Sequence, residues 1–160
     1  MKILLGRDEV NPDKPDNDVR TPLSYAAEYG REGVVKILLG HKEVDLDKPD
    51  NEGQTPLSYA TRRGHEGMVK ILLEREEVSP DKPDNKGRTQ LIHAAQNGHE
   101  GVVRMLLERD EVNTDHRCNQ GRNPLRHAWR NRQSGVVRIL IERNKVNAAK
   151  PDNKRKRSLS

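Results

Sequence analysis

The sequence predicts an all-α solenoid: stacked helix–turn–helix units with finger-like turns, about four repeats plus partial repeats at both ends. Three observations carry this. Residues 14–47 align without a gap to 48–81, 82–115 and 116–149, a period of 34 residues. Whole columns recur at that spacing: Thr21, Thr55, Thr89 and then Asn123; Leu5, Leu39, Leu73, Leu107 and Ile141; Val10, Val44, Val78, Val112 and Val146. The chain is also poor in apolar residues, at 31%, with 34% charged residues and no Phe. Scattered, that composition would leave a chain unfolded. Fixed in columns, it suits thin layers that bury apolar faces only against their neighbours. Such a fold offers a binding surface and no enclosed catalytic pocket.

The ends come first. Residues 1–13 match only the second half of a second helix, and 150–160 match a turn and the start of a first helix. Solenoids normally carry polar capping units at their ends. The cut ends predict a piece of a longer array or a small eroded relative, a monomer if it stands alone.

The unit 48–81 shows how one repeat works. Lys48, Pro49, Asp50, Asn51, Glu52 and Gly53 form a turn-rich opening. Thr55 is a good N-cap and Pro56 suits the first helical position, so a helix begins there. Leu57, Ala60 and Thr61 share one face of it, and Gly64 closes it through a left-handed residue. A second helix runs from His65 to Glu74, with Glu66 complementing its dipole. Met68, Val69, Ile71, Leu72 and Leu73 form its broad apolar stripe. Val78 anchors the return to the next finger.

These residues resemble ankyrin repeats. The pattern stands as Asp50, Gly53, Thr55-Pro56-Leu57, Ala60, Gly64-His65, Val69 and Leu72-Leu73. It recurs as Asp84, Gly87, Thr89, Leu91, Ala94-Ala95, Gly98-His99, Val102-Val103 and Leu106-Leu107. The resemblance covers essentially the whole chain. The period is one residue longer than the usual 33, and Thr-Pro-Leu is followed by Ser-Tyr where His is usual, a variant that looks like the arrays of filamentous fungi. Such arrays often form the sensing or scaffold part of larger proteins. The resemblance implies a non-catalytic module that binds another protein without a cofactor.

It also implies where the partner sits: on finger tips and the first-helix face. By position these are Arg20 and Tyr29 in the first unit, with Asn17, Asp18 and Glu28. The second unit gives Glu52, Gln54, Arg62 and Arg63. The third gives Lys86, Arg88, Gln96 and Asn97, and the fourth Arg122, Arg130 and Asn131. The invariant Asn17, Asn51, Asn85, Asn119 and Asn153 read as turn-formers, whereas positions that differ between units are better contact candidates.

The fourth unit has drifted. Cys118 replaces the turn Asp, Arg132 the helix-ending Gly, and Trp129 the Ala or Thr of Ala27, Thr61 and Ala95. Trp129 does not fit that inter-unit gap, so it is either a makeshift cap over an exposed edge or simple decay.

Charge separates the halves. Residues 1–80 hold 12 Lys and Arg against 16 Asp and Glu; residues 81–160 hold 18 against 9. The basic half predicts an acidic partner and salt-sensitive binding carried by Arg, since aromatic anchors are limited to Tyr25, Tyr29, Tyr59 and Trp129. Nucleic acid is the alternative partner, and a partnerless spacer in a multi-domain protein is another. The run Lys154, Arg155, Lys156 and Arg157 reads either as a decayed turn or as a nuclear-import or phosphate-binding segment, with Ser158 a site whose phosphorylation would offset its charge.

Other chemistry finds little support. The single Cys118 excludes an intrachain disulfide, no apolar run approaches membrane-spanning length, and no signal peptide is recognisable, so the default compartment is intracellular, cytoplasmic or nuclear. No Cys/His set has zinc spacing. Cys118 with nearby His116 is better explained as a drifted turn than as a nucleophile. His65 and His99 read as structural parts of the Gly-His turn.

Overall fold

The computed structural model describes residues 11–149. Eight helices occupy them, and no strand is present among the described residues: α1 (Pro22–Glu28), α2 (Glu32–Leu38), α3 (Pro56–Arg63), α4 (Glu66–Leu73), α5 (Gln90–Asn97), α6 (Glu100–Leu107), α7 (Pro124–Arg130) and α8 (Ser134–Ala149). The N-terminal remnant before residue 11 and the basic run at 154–157 lie outside these residues.

Each first helix starts as its sequence dictates. The side chains of Thr21, Thr55 and Asn123 accept the backbone N–H of Ser24, Ser58 and Arg126, at 3.1, 3.2 and 2.9 Å. Thr89 makes no such bond. Gly64 and Gly98 end α3 and α5 with φ of 74° and 77°, where a Cβ is costly. First helices pack on first helices, α1 to α3 to α5 to α7, while each second helix covers its own partner. The core is the predicted one: Leu23, Leu57 and Leu91, with Met68, Val69, Leu72, Val102, Val103 and Leu106, is closed to solvent.

The fourth unit departs from the sequence expectation in two ways. The return anchored by Val78 is expected to recur along its column. Val44, Val78 and Val112 anchor theirs in the core, but Val146 is 53% exposed on α8. That helix spans 16 residues and runs on through the place where the other units turn. Asp47 accepts Lys82 at 3.1 Å and Asp81 accepts the Asn113 N–H at 3.1 Å in the earlier returns. The fourth unit has Ala148-Ala149 there, which supplies no anchor and favours helix. Trp129 is no cap either: it is 74% exposed and covers no edge.

Among the described residues two non-glycine residues stand at left-handed φ: Val19 at 64° and Arg132 at 59°. Both occupy columns that hold Gly in sister units. A side chain there costs roughly 1 kcal/mol or more. Val19→Gly and Arg132→Gly are therefore expected each to raise stability by about 1 kcal/mol, measured as a higher denaturant midpoint with an unchanged slope.

Candidate functional site

The face formed by the fingers and first helices is built on one repeated carboxylate. Asp50 Oδ1 accepts the backbone N–H of Glu52 and Gln54, both at 2.9 Å, closing the finger. Its other oxygen accepts the Tyr59 hydroxyl at 2.5 Å, tying finger to helix. Asp16 does the same with Asp18, Arg20 and Tyr25. Asp84 holds Lys86 and Arg88, and His93 replaces the tyrosine, Nε2 at 3.2 Å. In the fourth unit both members change: Cys118 Sγ lies 3.4 Å from His127 Nε2. His116, the nearer residue in sequence, instead donates to the Gly87 carbonyl at 2.9 Å.

The invariant asparagines do more than form turns. Asn85 and Asn119 donate their amides to the Asn51 and Asn85 carbonyls one unit back, at 2.9 and 3.0 Å, and Asn51 reaches Asn17 at 3.5 Å. Their backbone N–H groups bond Glu52, Lys86 and Asp18 of the preceding finger. They are inter-unit staples. His65 and His99 likewise bridge units, each donating to a carbonyl of the previous first helix, Glu28 and Arg62, at 2.9 Å.

The candidate contact residues separate into two groups. In the first two units Arg20, Gln54, Arg62 and Arg63 are engaged internally. Glu28, 7% exposed, is gripped by Arg20 and by Arg63 at 2.7 Å, with Arg62 at 3.7 Å. Burial alone would raise the Glu28 carboxyl, but those arginines hold its pKa below the usual value. The Arg20 guanidinium also lies between the Tyr25 and Tyr59 rings, 4.0 and 4.3 Å from their centroids. Gln54 is 1% exposed and donates to Asp84 at 2.7 Å, so it is an interior strut and no partner contact. Tyr29 and Glu52 stay exposed.

In units three and four the candidates converge instead. Lys86, Arg88, Gln96, Arg122, Arg130 and Asn131 line one groove of about 490 Å³, floored by Cys118 and His127. Among the described residues no carboxylate lines it. Asn97 lies outside it and donates to the His93 carbonyl at 2.9 Å. Arg88 is drawn to Asp84 at 2.8 Å, but Arg122, its counterpart one unit on, finds only the neutral Gln120, at 2.7 Å, because Cys118 has replaced the column's acid. Trp129, passed over as a contact in the sequence, flanks this groove with Arg122, Arg126 and Arg130. The signal was available: a large aromatic in a column of small residues has to leave the gap.

The carboxylate–histidine pair makes stability depend on pH. Burial alone would raise Asp84, yet hydrogen bonds from His93 and Arg88 hold it well below the usual range. Burial lowers the pKa of His93, 1% exposed, although Asp84 opposes this. The unfolded chain therefore takes up a proton near pH 6.5 that the folded one refuses, and stability falls as pH drops through that value. His93→Tyr, the residue of the first two units, is expected to flatten the fall in Tm between about pH 7.5 and 5.5. His127, whose pKa burial also lowers, leaves a residual slope. Glu28→Gln leaves its arginines unpaired and is expected to cost about 1–3 kcal/mol in denaturant unfolding.

Among the described residues no helix is long and apolar enough to cross a membrane, and no group of three His, Cys, Asp or Glu side chains could hold a metal ion. No curated protein matches the sequence. The family model described as ankyrin repeats (3 copies) matches residues 1–84 and 76–152, nearly the whole length, and the chain belongs to the ankyrin repeat family.

Proposed function

We propose that the chain is a non-catalytic module that binds an acidic partner protein on the finger and first-helix face of its third and fourth units. Ankyrin repeats are generally protein–protein interaction modules, and the family is typically non-catalytic. The observation that carries the finer reading is the groove lined by Lys86, Arg88, Arg122 and Arg130 without a carboxylate. Arg88 is partly neutralised by Asp84, but among the described residues Lys86, Arg122 and Arg130 have no carboxylate partner; cations held side by side repel one another, and an acidic partner relieves that repulsion and is drawn in over about a Debye length. Trp129 and the arginines also supply the residue types that dominate interface energetics. The first two units offer less, because Glu28 already satisfies their arginines.

The exposed Trp129 among arginines favours one competing reading, stacking of a single-stranded nucleic acid. Capture from lysate separates the two. The purified chain is expected to retain proteins that survive nuclease and are released as salt rises from about 50 to 500 mM. The double variant Arg122→Glu/Arg130→Glu is expected to lose them while Arg20→Gln/Arg63→Gln keeps them. Material that disappears with nuclease would favour nucleic acid, and an empty eluate would favour a spacer role.

A further inference from the structure

The first unit contains a filled version of the groove that the third and fourth leave open. Glu28 sits at the end of α1, where Arg20 from its own finger and Arg62 and Arg63 from the next first helix close on its carboxylate. Two periods further along, the same places hold Arg88, Gln96, Arg130 and Asn131. All four line the groove of about 490 Å³. The finger arginine is kept, one helix arginine is kept, and the second becomes an amide. The carboxylate at the centre becomes Gln96, which has the same length and no charge. The helix arginine kept, Arg130, is the counterpart of Arg62, 3.7 Å from Glu28, while the counterpart of Arg63, at 2.7 Å, is Asn131; the central carboxylate is gone.

We infer that Arg88, Gln96 and Arg130 form a subsite for one Asp or Glu side chain of an acidic segment of the partner, which takes the place that Glu28 holds in the first unit. The inference rests on the reading that this face binds an acidic protein. Three features favour a carboxylate as the group bound. The arrangement around Glu28 shows that this array holds a monoanion with a finger guanidinium on one side and a helix guanidinium on the other. Guanidinium and carboxylate match in plane and in hydrogen-bond spacing. Arg88 is shared with Asp84, through Nη2 at 2.8 Å and Nε at 2.9 Å, so the charge it offers suits a singly charged group better than a dianion. Lys86 and Arg122, at the neighbouring finger tips, stand ready for further acidic residues of the same segment.

This makes Gln96→Glu a decisive substitution. It restores the chain's own carboxylate and so occupies the subsite from within. Hexaglutamate titrated at about 50 mM salt serves as the probe, read by the emission of Trp129, the sole tryptophan, which flanks the groove beside Arg130. Hexaglutamate is expected to change that emission saturably. Gln96→Glu is expected to raise Tm and to weaken the peptide at least about tenfold, whereas Arg104→Gln, which makes the same change of charge on an exposed residue outside the groove, stays within about threefold of the parent chain. Inorganic phosphate and oligothymidylate are run as competitors.

Equal affinity of the Gln96→Glu variant and the parent would overturn the subsite. Failure of hexaglutamate to bind the parent chain, or phosphate or oligothymidylate binding more tightly than the peptide, would overturn it too. The broader reading fails separately, when Arg122→Glu/Arg130→Glu still captures the same proteins. A parent chain whose captured proteins are lost in that double variant but kept in Gln96→Glu would retain the interaction face and lose the subsite.

Discussion

Three of the four described fingers are tied to the stack through one side chain. An aspartate at the start of the finger accepts two backbone N–H groups with one oxygen and a first-helix side chain with the other, as Asp16, Asp50 and Asp84 do. It closes the finger against its own backbone and ties it to the first helix of the same unit. A thiol cannot take over that work, because it is a weak acceptor with no charge. At Cys118 the finger keeps its turn through the backbone bond from Gly121 N–H to the Cys118 carbonyl, 2.8 Å, while its arginine loses the nearby acid. One substitution thus leaves the architecture in place and changes the electrostatics of the surface.

The same exchange runs along the whole array. Where carboxylates are present inside the face, arginines serve cohesion: Arg20 is shared between Glu28 and two tyrosine rings and bridges two units. Where they are absent, arginines of the same columns are left facing solvent. Stability and recognition draw on one set of side chains, and the distribution of acids decides which purpose each serves. The formal charge gradient is the coarse record of this. The fine record is pairwise: residue 28 with 20, 62 and 63, against residue 96 with 88, 130 and 131.

Helices and caps are legible because each depends on residues within one unit, and the core because its columns repeat from one unit to the next. Thr55, Pro56 and Gly64 act on their own neighbourhood, and the Leu and Val columns repeat whatever lies beside them. What was not legible depends on pairs 30 to 37 residues apart. Gln54 looked like a finger-tip contact, yet it is buried because Asp84 of the next unit reaches it. Arg62 and Arg63 looked free until Glu28 was placed against them. The asparagines were read as turn-formers, since a column of identical residues does not reveal that each donates to the next. The overlong α8 was missed because the period suggested a turn where Ala148 and Ala149 had removed its anchor. Groove membership of Lys86, Arg88, Gln96, Arg122, Arg130 and Asn131 followed more directly, since these lie on fingers or helices in adjacent layers.

The asparagine staple has an evolutionary consequence. Each rung uses the same donor and the same acceptor, so its geometry is unchanged by translation along the stack. A duplicated unit would meet a fitting neighbour on either side, and a deleted one would leave two that fit each other. Gene length can therefore drift by whole units without redesign of this contact. Substitutions at the variable columns, meanwhile, are free to diversify one layer at a time, and that is the route by which a structural arginine in one copy becomes an exposed one in another.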